Sequence, residues 1–269
     1  MSLHKVSSGD VEIEYEQFGS GPDLLLLHPF PAHRGIWKPA AATLANRFRV
    51  ILPNLRGHGG AAPGEGPATM GKHAQDIRRV CEDAGVGRAL FGGISIGGYV
   101  LFEFWRQFRE RVAGLILSDT RAQADTPEGR ANRLRAADDV LKRGTGPFIQ
   151  EMLPKLLGSS THRNRPDLVE SARKMMDTAT PAGIAAVQRG MAERPDSVSS
   201  LPAIQCPVLI LVGGEDTLTP VADAEMMNGL IPNSQIRIIP QAGHYSPYER
   251  PEECASQIQA FLNGISNRA

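Results

Sequence analysis

Charge of one sign is missing from this sequence: 29 Lys and Arg balance 29 Asp and Glu over 269 residues. There is no long run of like charge either, so neither the basic footprint that nucleic acid requires nor a tail suited to anionic lipid is present. No stretch reaches the roughly 18 consecutive apolar residues of a membrane span. The opening "MSLHKVSSGD" lacks the apolar segment of a secretion signal. Cysteine is scarce, and Cys81, Cys206 and Cys254 are too scattered, and odd in number, for a disulfide framework. These absences point to a reducing compartment, the cytoplasm by default, with no nucleic-acid or membrane partner. Internal repeats and low-complexity segments are lacking as well.

What is present is the composition of a soluble globular chain, 41% hydrophobic and 22% charged, long enough for one large core and a smaller appendage. Short apolar runs recur at "VEIEYEQFG" (11–19), "DLLLLH" (23–28), "FRVILPNL" (48–55), "ALFGGIS" (89–95), "VAGLILSD" (112–119), "PVLILVGG" (207–214) and "SQIRIIP" (234–240). Several are apolar throughout rather than alternating, as strands covered on both faces require. Between them, "HAQDIRRVCEDAG" (73–85) ends at a glycine, and "PEECASQIQAFLNG" (251–264) opens at a proline and closes at Gly264, so both read as helices. Alternating strand and helix predicts an α/β fold with a mostly parallel sheet flanked by helices.

The rhythm breaks between residues 121 and 200, where no strand is legible. Four helical patterns stand there instead: "GRANRLRAADDVLKRG", "PFIQEMLPKLLG", "PDLVESARKMMDTAT" and "PAGIAAVQRGMAERP". Leu134, Ala137 and Leu141 share a face in the first, and Ile184, Val187 and Met191 in the last. An insertion of about 80 residues far exceeds a parallel crossover. We therefore expect a core of residues 1–120 and 201–269, and a helical cap of residues 121–200 over the carboxyl ends of the strands, where ligands bind in open α/β sheets.

The stretch "GGISIGGYV" (92–100) closes a strand and opens a helix around Ser95, with four glycines where helix and strand would both prefer side chains. This is G-x-S-x-G on a strand-to-helix turn, which thrusts the hydroxyl above the sheet. Alternatively, Ser95 is the N-cap of the following helix. A serine nucleophile needs a base and a group that orients the base. Asp216, in "GGEDTLTP", and His244, in "QAGHYSPYE", follow the last two predicted strands. Strand ends of a parallel sheet open on one edge, so the three can converge, and their order of serine, acid, histidine suits this architecture.

With "LLLLHPFPAHRGIW", "LRGHG", "GGISIGGY", "VGGEDTLTP" and "AGHYSPYERPEE" spaced along nearly the whole chain, the sequence resembles the α/β-hydrolase superfamily. Within it, the chain is similar to capped carboxylesterases and 3-oxoadipate enol-lactonase-like hydrolases. The resemblance implies a mainly parallel eight-stranded sheet, with Ser95 as nucleophile, Asp216 as acid and His244 as base. It implies an oxyanion hole after the strand "LLLL". Family members often carry His-Gly there; this chain has His28-Pro29, and proline has no amide hydrogen. The donors are then the backbone N–H groups of Phe30 and Ile96. The implied activity is cofactor-free hydrolysis of a small ester, with lactones included, through an acyl-enzyme. Carbon–carbon bond hydrolases, perhydrolases, cofactor-free haloperoxidases and non-catalytic receptors of the same fold are the alternatives. Haloalkane dehalogenases and epoxide hydrolases carry an aspartate where this chain has Ser95.

Other polar residues have competing readings. Asp119, in "LILSDTRAQAD", also ends a strand and is the alternative acid. Glu215 reads as a bystander, because adjacent side chains of an extended segment point apart. Arg121 either grips a substrate carboxylate or makes a surface salt bridge. His28 and His58 read as structural. The histidines and cysteines form no cluster with zinc spacing, so no metal is expected. "GPATMGKH" starts like a phosphate-binding loop, yet His73 stands where Ser or Thr should follow the lysine, and no strand leads into it. In the cap, Met152, Leu153, Leu156, Met175 and Met176 could line an acyl pocket with Phe30, Ile96 and Leu218, or could form the cap's own core.

Overall fold

The structure, a computed structural model, describes residues 1–266. Its strands are β1 (Ser2–Ser8), β2 (Val11–Phe18), β3 (Asp23–Leu27), β4 (Arg49–Pro53), β5 (Ala89–Ile94), β6 (Val112–Ser118), β7 (Val208–Gly213) and β8 (Ser234–Ile239). They form one eight-stranded sheet in the order β1-β2-β4-β3-β5-β6-β7-β8. β2 pairs antiparallel with β1 and β4, and every other pairing is parallel.

The leucine run of β3 shows why the sheet needs helices on both faces. Leu24 and Leu26 join one core and Leu25 and Leu27 the other, since successive side chains point to opposite sides. β7 divides likewise, with Val208, Ile210 and Val212 on one side and Leu209 and Leu211 on the other. Each fully buried leucine is worth about 1.5–3 kcal/mol relative to exposure, so neither face can be left to water. Helices α1 (Lys38–Leu44), α2 (Met70–Asp83) and α3 (Ile96–Phe108) lie in the first half of the chain. Between β6 and β7 run α4 (Pro127–Arg143), α5 (Thr145–Leu156), α6 (Ser159–Asn164), α7 (Pro166–Met176) and α8 (Pro181–Ala192). Then follow α9 (Val221–Leu230), α10 (Ser246–Glu249) and α11 (Pro251–Ser266). α1 and α11 cover one face of the sheet; α2, α3 and α9 cover the other. Among the described residues, no helix is long and apolar enough to cross a membrane.

Several expectations are corrected. β1 is a strand that the sequence does not announce: only its Val6 and Ser8 are buried, so this edge strand has no apolar run. α2 begins at Met70 rather than residue 73, because the Thr69 side chain accepts from the Lys72 amide and caps the helix there. α11 continues past Gly264. The 121–200 stretch holds five helices rather than four, the extra one being the polar α6. In α4, the expected apolar face holds at Ala137 alone: Leu134 and Leu141 are exposed, and Val140 is buried beside Ala137 instead. α4 packs on α8, where Ile184, Val187 and Met191 are buried, and small residues let the two helices approach.

Candidate active site

β5 ends at Ile94 and α3 starts at Ile96, which leaves Ser95 alone in the turn at φ 54°, ψ −115°. A non-glycine residue at positive φ is strained, and such strain collects at functional turns. Two neighbouring glycines make the turn possible. A Cβ on Gly93 would stand 2.4 Å from the Gly97 carbonyl carbon, and one on Gly97 would stand 2.6 Å from the Leu27 carbonyl oxygen. The serine backbone is pinned: its N–H donates to Ser118 O at 3.0 Å, and its carbonyl accepts from the Thr120 hydroxyl at 2.8 Å. Its side chain borders a cavity of about 920 Å³.

His244 borders the same cavity, from the loop after β8. Its Nδ1 donates to Asp216 Oδ2 at 2.8 Å. That carboxylate also accepts from the amides of Leu218 (2.8 Å) and Thr219 (3.0 Å) and from the Thr219 hydroxyl (2.6 Å). Burial opposes the charge of Asp216, but His244 and these donors outweigh it and hold the carboxyl below its ordinary range. Burial also works against a cationic His244, and Asp216 more than restores it, so the imidazole titrates above its ordinary value. Among the described residues, Ser95 Oγ makes no hydrogen bond with His244; the two share a cavity wall.

Asp119 directly follows β6, at φ 45°, and makes no hydrogen bond to the imidazole. Its carboxylate accepts from Gly213 N (2.8 Å), the Ser246 N–H (3.1 Å), the Ser246 hydroxyl (2.6 Å) and the Ser118 hydroxyl (2.9 Å). Burial and the nearby Asp216 charge push its pKa up to about 7. It thus ties the stem of the Asp216 loop to the loop of His244.

The segment after β3 is held by its carbonyls. His28 accepts from the Leu55 amide at Nε2 (2.9 Å), so Nδ1 carries the proton and donates to Pro29 O at 3.0 Å. The Tyr245 hydroxyl donates to Phe30 O at 3.0 Å. Among the described residues, the amides of Phe30 and Ile96 donate to no other protein group. Burial keeps His28 neutral, with its pKa well below the ordinary value, and lowers His58 to about 4 while its Nδ1 holds Arg56 O at 3.0 Å.

Phe30, Met152, Leu156 and Leu218 line the cavity, together with Phe148 and Met191, which the sequence reading does not place there. Leu153 does not: on α5 it lies a quarter-turn from Met152 and packs into the core instead. Met175 and Met176 face that core too, and the Ile96 side chain is buried rather than at the cavity base. Arg121 forms an ion pair with Asp223 at 3.6 Å and donates to Leu218 O, yet it also borders the cavity, and its buried Nε has no hydrogen-bond acceptor. Glu215 is no bystander, since it bonds Ser159 and Ser160 of α6. Among the described residues, no group of three or more His, Cys, Asp or Glu side chains is arranged to hold a metal ion.

A thermophilic esterase from Thermogutta terrifontis, solved with malate bound, has 43% sequence identity and a TM-score of 0.95, with 98% of this chain and 99% of that one covered. The 3-oxoadipate enol-lactonase 2 of Acinetobacter baylyi is 26% identical over 96% of this chain and 95% of its own. The pimeloyl-[acyl-carrier protein] methyl ester esterase of Nitrosomonas europaea is 28% identical over 93% and 99%. Residues 22–251 match the family model described as the alpha/beta hydrolase fold, and with the sheet order and the Ser95 turn in place, this chain belongs to the α/β-hydrolase family.

Proposed function

We propose that the chain is a serine hydrolase of carboxylic esters, lactones included, acting through an acyl-enzyme on Ser95. The observation that carries this reading is the 2.8 Å bond between Asp216 and His244 Nδ1 on the cavity that Ser95 borders. With Nδ1 committed, Nε2 is the basic nitrogen and takes the Ser95 proton as Oγ bonds to the substrate carbonyl carbon. That hydrogen bond forms as substrate seats, since catalytic contacts commonly tighten in the Michaelis complex. The carbonyl π electrons move onto oxygen, where the Phe30 and Ile96 amides stabilise them by about 3 kcal/mol each. The tetrahedral adduct collapses, the carbon–oxygen bond of the ester breaks, and His244 protonates the leaving alkoxide. Water then repeats the cycle on the acyl-enzyme, with His244 again as base. A fluorophosphonate should therefore add one phosphonyl group, on Ser95, read by intact and peptide mass. An unlabelled protein, or a label elsewhere, sinks the proposal.

Residues 121–200 act as a helical cap on a core of residues 1–120 and 201–269, and supply Phe148, Met152 and Leu156 to the apolar wall. An ester methyl group and an enol-lactone in the names of two relatives support this substrate range. Lys and Arg side chains outnumber acidic ones six to three along the cavity, and the Arg121 guanidinium borders it. Esters with a distal carboxylate fit that bias. Arg121→Met should raise KM for p-nitrophenyl hemisuccinate about tenfold, as loss of one charge-assisted bond does, and leave the neutral butyrate ester within about threefold. Equal shifts for the two esters would remove Arg121 from substrate binding.

A further inference from the structure

Two carboxylates beside the proposed catalytic loops have no part in the chemistry above. Glu249, buried at the end of α10, accepts from the Gly243 amide at Oε1 (2.8 Å). Its Oε2 crosses to the helical insertion and accepts from the Gly158 amide (2.8 Å) and the Thr161 hydroxyl (2.5 Å). Glu215, next to Asp216, accepts from the Ser160 amide (2.8 Å), the Ser160 hydroxyl (2.5 Å) and the Ser159 hydroxyl (3.2 Å). The first amides of a helix lack partners within it. α6 has only Gly158 as its N-cap, with no side chain to supply an acceptor. The core satisfies those amides from outside. The two backbones also meet closely, since a Cβ on Gly243 would stand 2.3 Å from Gly158 N.

This joint lies two residues past the end of α5, whose Phe148, Met152 and Leu156 form cavity wall. On the core side it lies next to Asp216 and His244 in the chain. We propose that Glu215 and Glu249 are positioning residues that latch the α5–α6 turn to the two loops carrying the acid and the base. The width of the acyl pocket and the placement of the imidazole are then set by one contact. Removing a partner of the buried Glu249 leaves an acceptor or charge unsatisfied there, which favours opening of the turn.

The turnover arm of the test rests on the proposed esterase activity, whereas the hydrogen-exchange arm does not. Ser160→Ala with Thr161→Val weakens the latch from the helical side without touching Ser95, Asp216 or His244. Amides of residues 145–164 should then exchange at least about tenfold faster, the loss expected for one charged hydrogen bond, with those of β3, β5 and β6 unchanged. KM for p-nitrophenyl octanoate should rise about tenfold while the acetate ester stays within about threefold. Glu249→Gln should reproduce both effects, and adding Thr161→Val to it should cost little more. Unchanged exchange over 145–164 overturns the latch, as does acceleration spread evenly through the sheet or an equal KM change for both esters. If Glu249→Gln does not fold, the Ser160/Thr161 pair decides alone. If the native protein turns over neither ester, the esterase reading falls and exchange still judges the latch.

Discussion

Replacing Ser95 with alanine should lower kcat for short-chain p-nitrophenyl esters by about 10⁴- to 10⁶-fold, the range seen when a triad nucleophile is removed. The melting temperature should move by no more than about 2 °C, because nothing structural leaves with the hydroxyl. Among the described residues Ser95 Oγ has no hydrogen bond to lose, and the contacts that fix the turn run through the backbone amide and carbonyl. Alanine keeps the Cβ and meets the same strain at φ 54° that serine does. Some acceleration over water should survive, since the Phe30 and Ile96 amides would still bind a developing oxyanion. Turnover within tenfold of the native enzyme would remove Ser95 as the nucleophile. Loss of activity with a large fall in melting temperature would make the serine a fold determinant instead.

The parts of this molecule legible in the sequence are those written in adjacent residues. β3, β6 and β7 are continuous apolar runs because both faces of each strand are buried, and the serine turn is announced by glycines that its geometry requires. What escaped is written between distant residues or in small ones. β1 buries little, so its pairing with β2 rather than its own composition makes it a strand. On α4, Val140 rather than the larger Leu134 or Leu141 joins Ala137 inside, and only the presence of α8 explains that choice. Glu215 has its partners 55 positions upstream and Glu249 reaches back 88, so no local pattern separates them from surface carboxylates. Leu153 has the same apolar neighbours as the cavity residues of α5, yet helical phase packs it against the core.

Asp216→Asn should reduce kcat about 10⁴-fold, whereas Asp119→Asn should cost at least about a hundredfold less. Both carboxylates are buried at strand ends, and only their partners tell them apart. Asp216 Oδ2 holds the imidazole Nδ1, so an asparagine amide presented there would favour the wrong tautomer and take the proton-accepting lone pair from Nε2. Asp119 holds Gly213 and Ser246 instead, so its amide would face the Ser246 N–H, a stability loss of about 1–3 kcal/mol rather than a chemical one. The pH profile gives a second reading of the same geometry. In the proposed mechanism His244 must be neutral to accept the Ser95 proton, so kcat/KM should rise with pH. The midpoint should lie above histidine's ordinary value of about 6.5: burial lowers it, but Asp216 raises it by more. The residual activity of Asp216→Asn should therefore titrate at lower pH than the native enzyme, and that of Asp119→Asn should shift less. Should Asp119→Asn prove the more damaged in kcat, with the larger shift in midpoint, the acid role passes to the β6 carboxylate, and Asp216 becomes the residue that merely holds its loop.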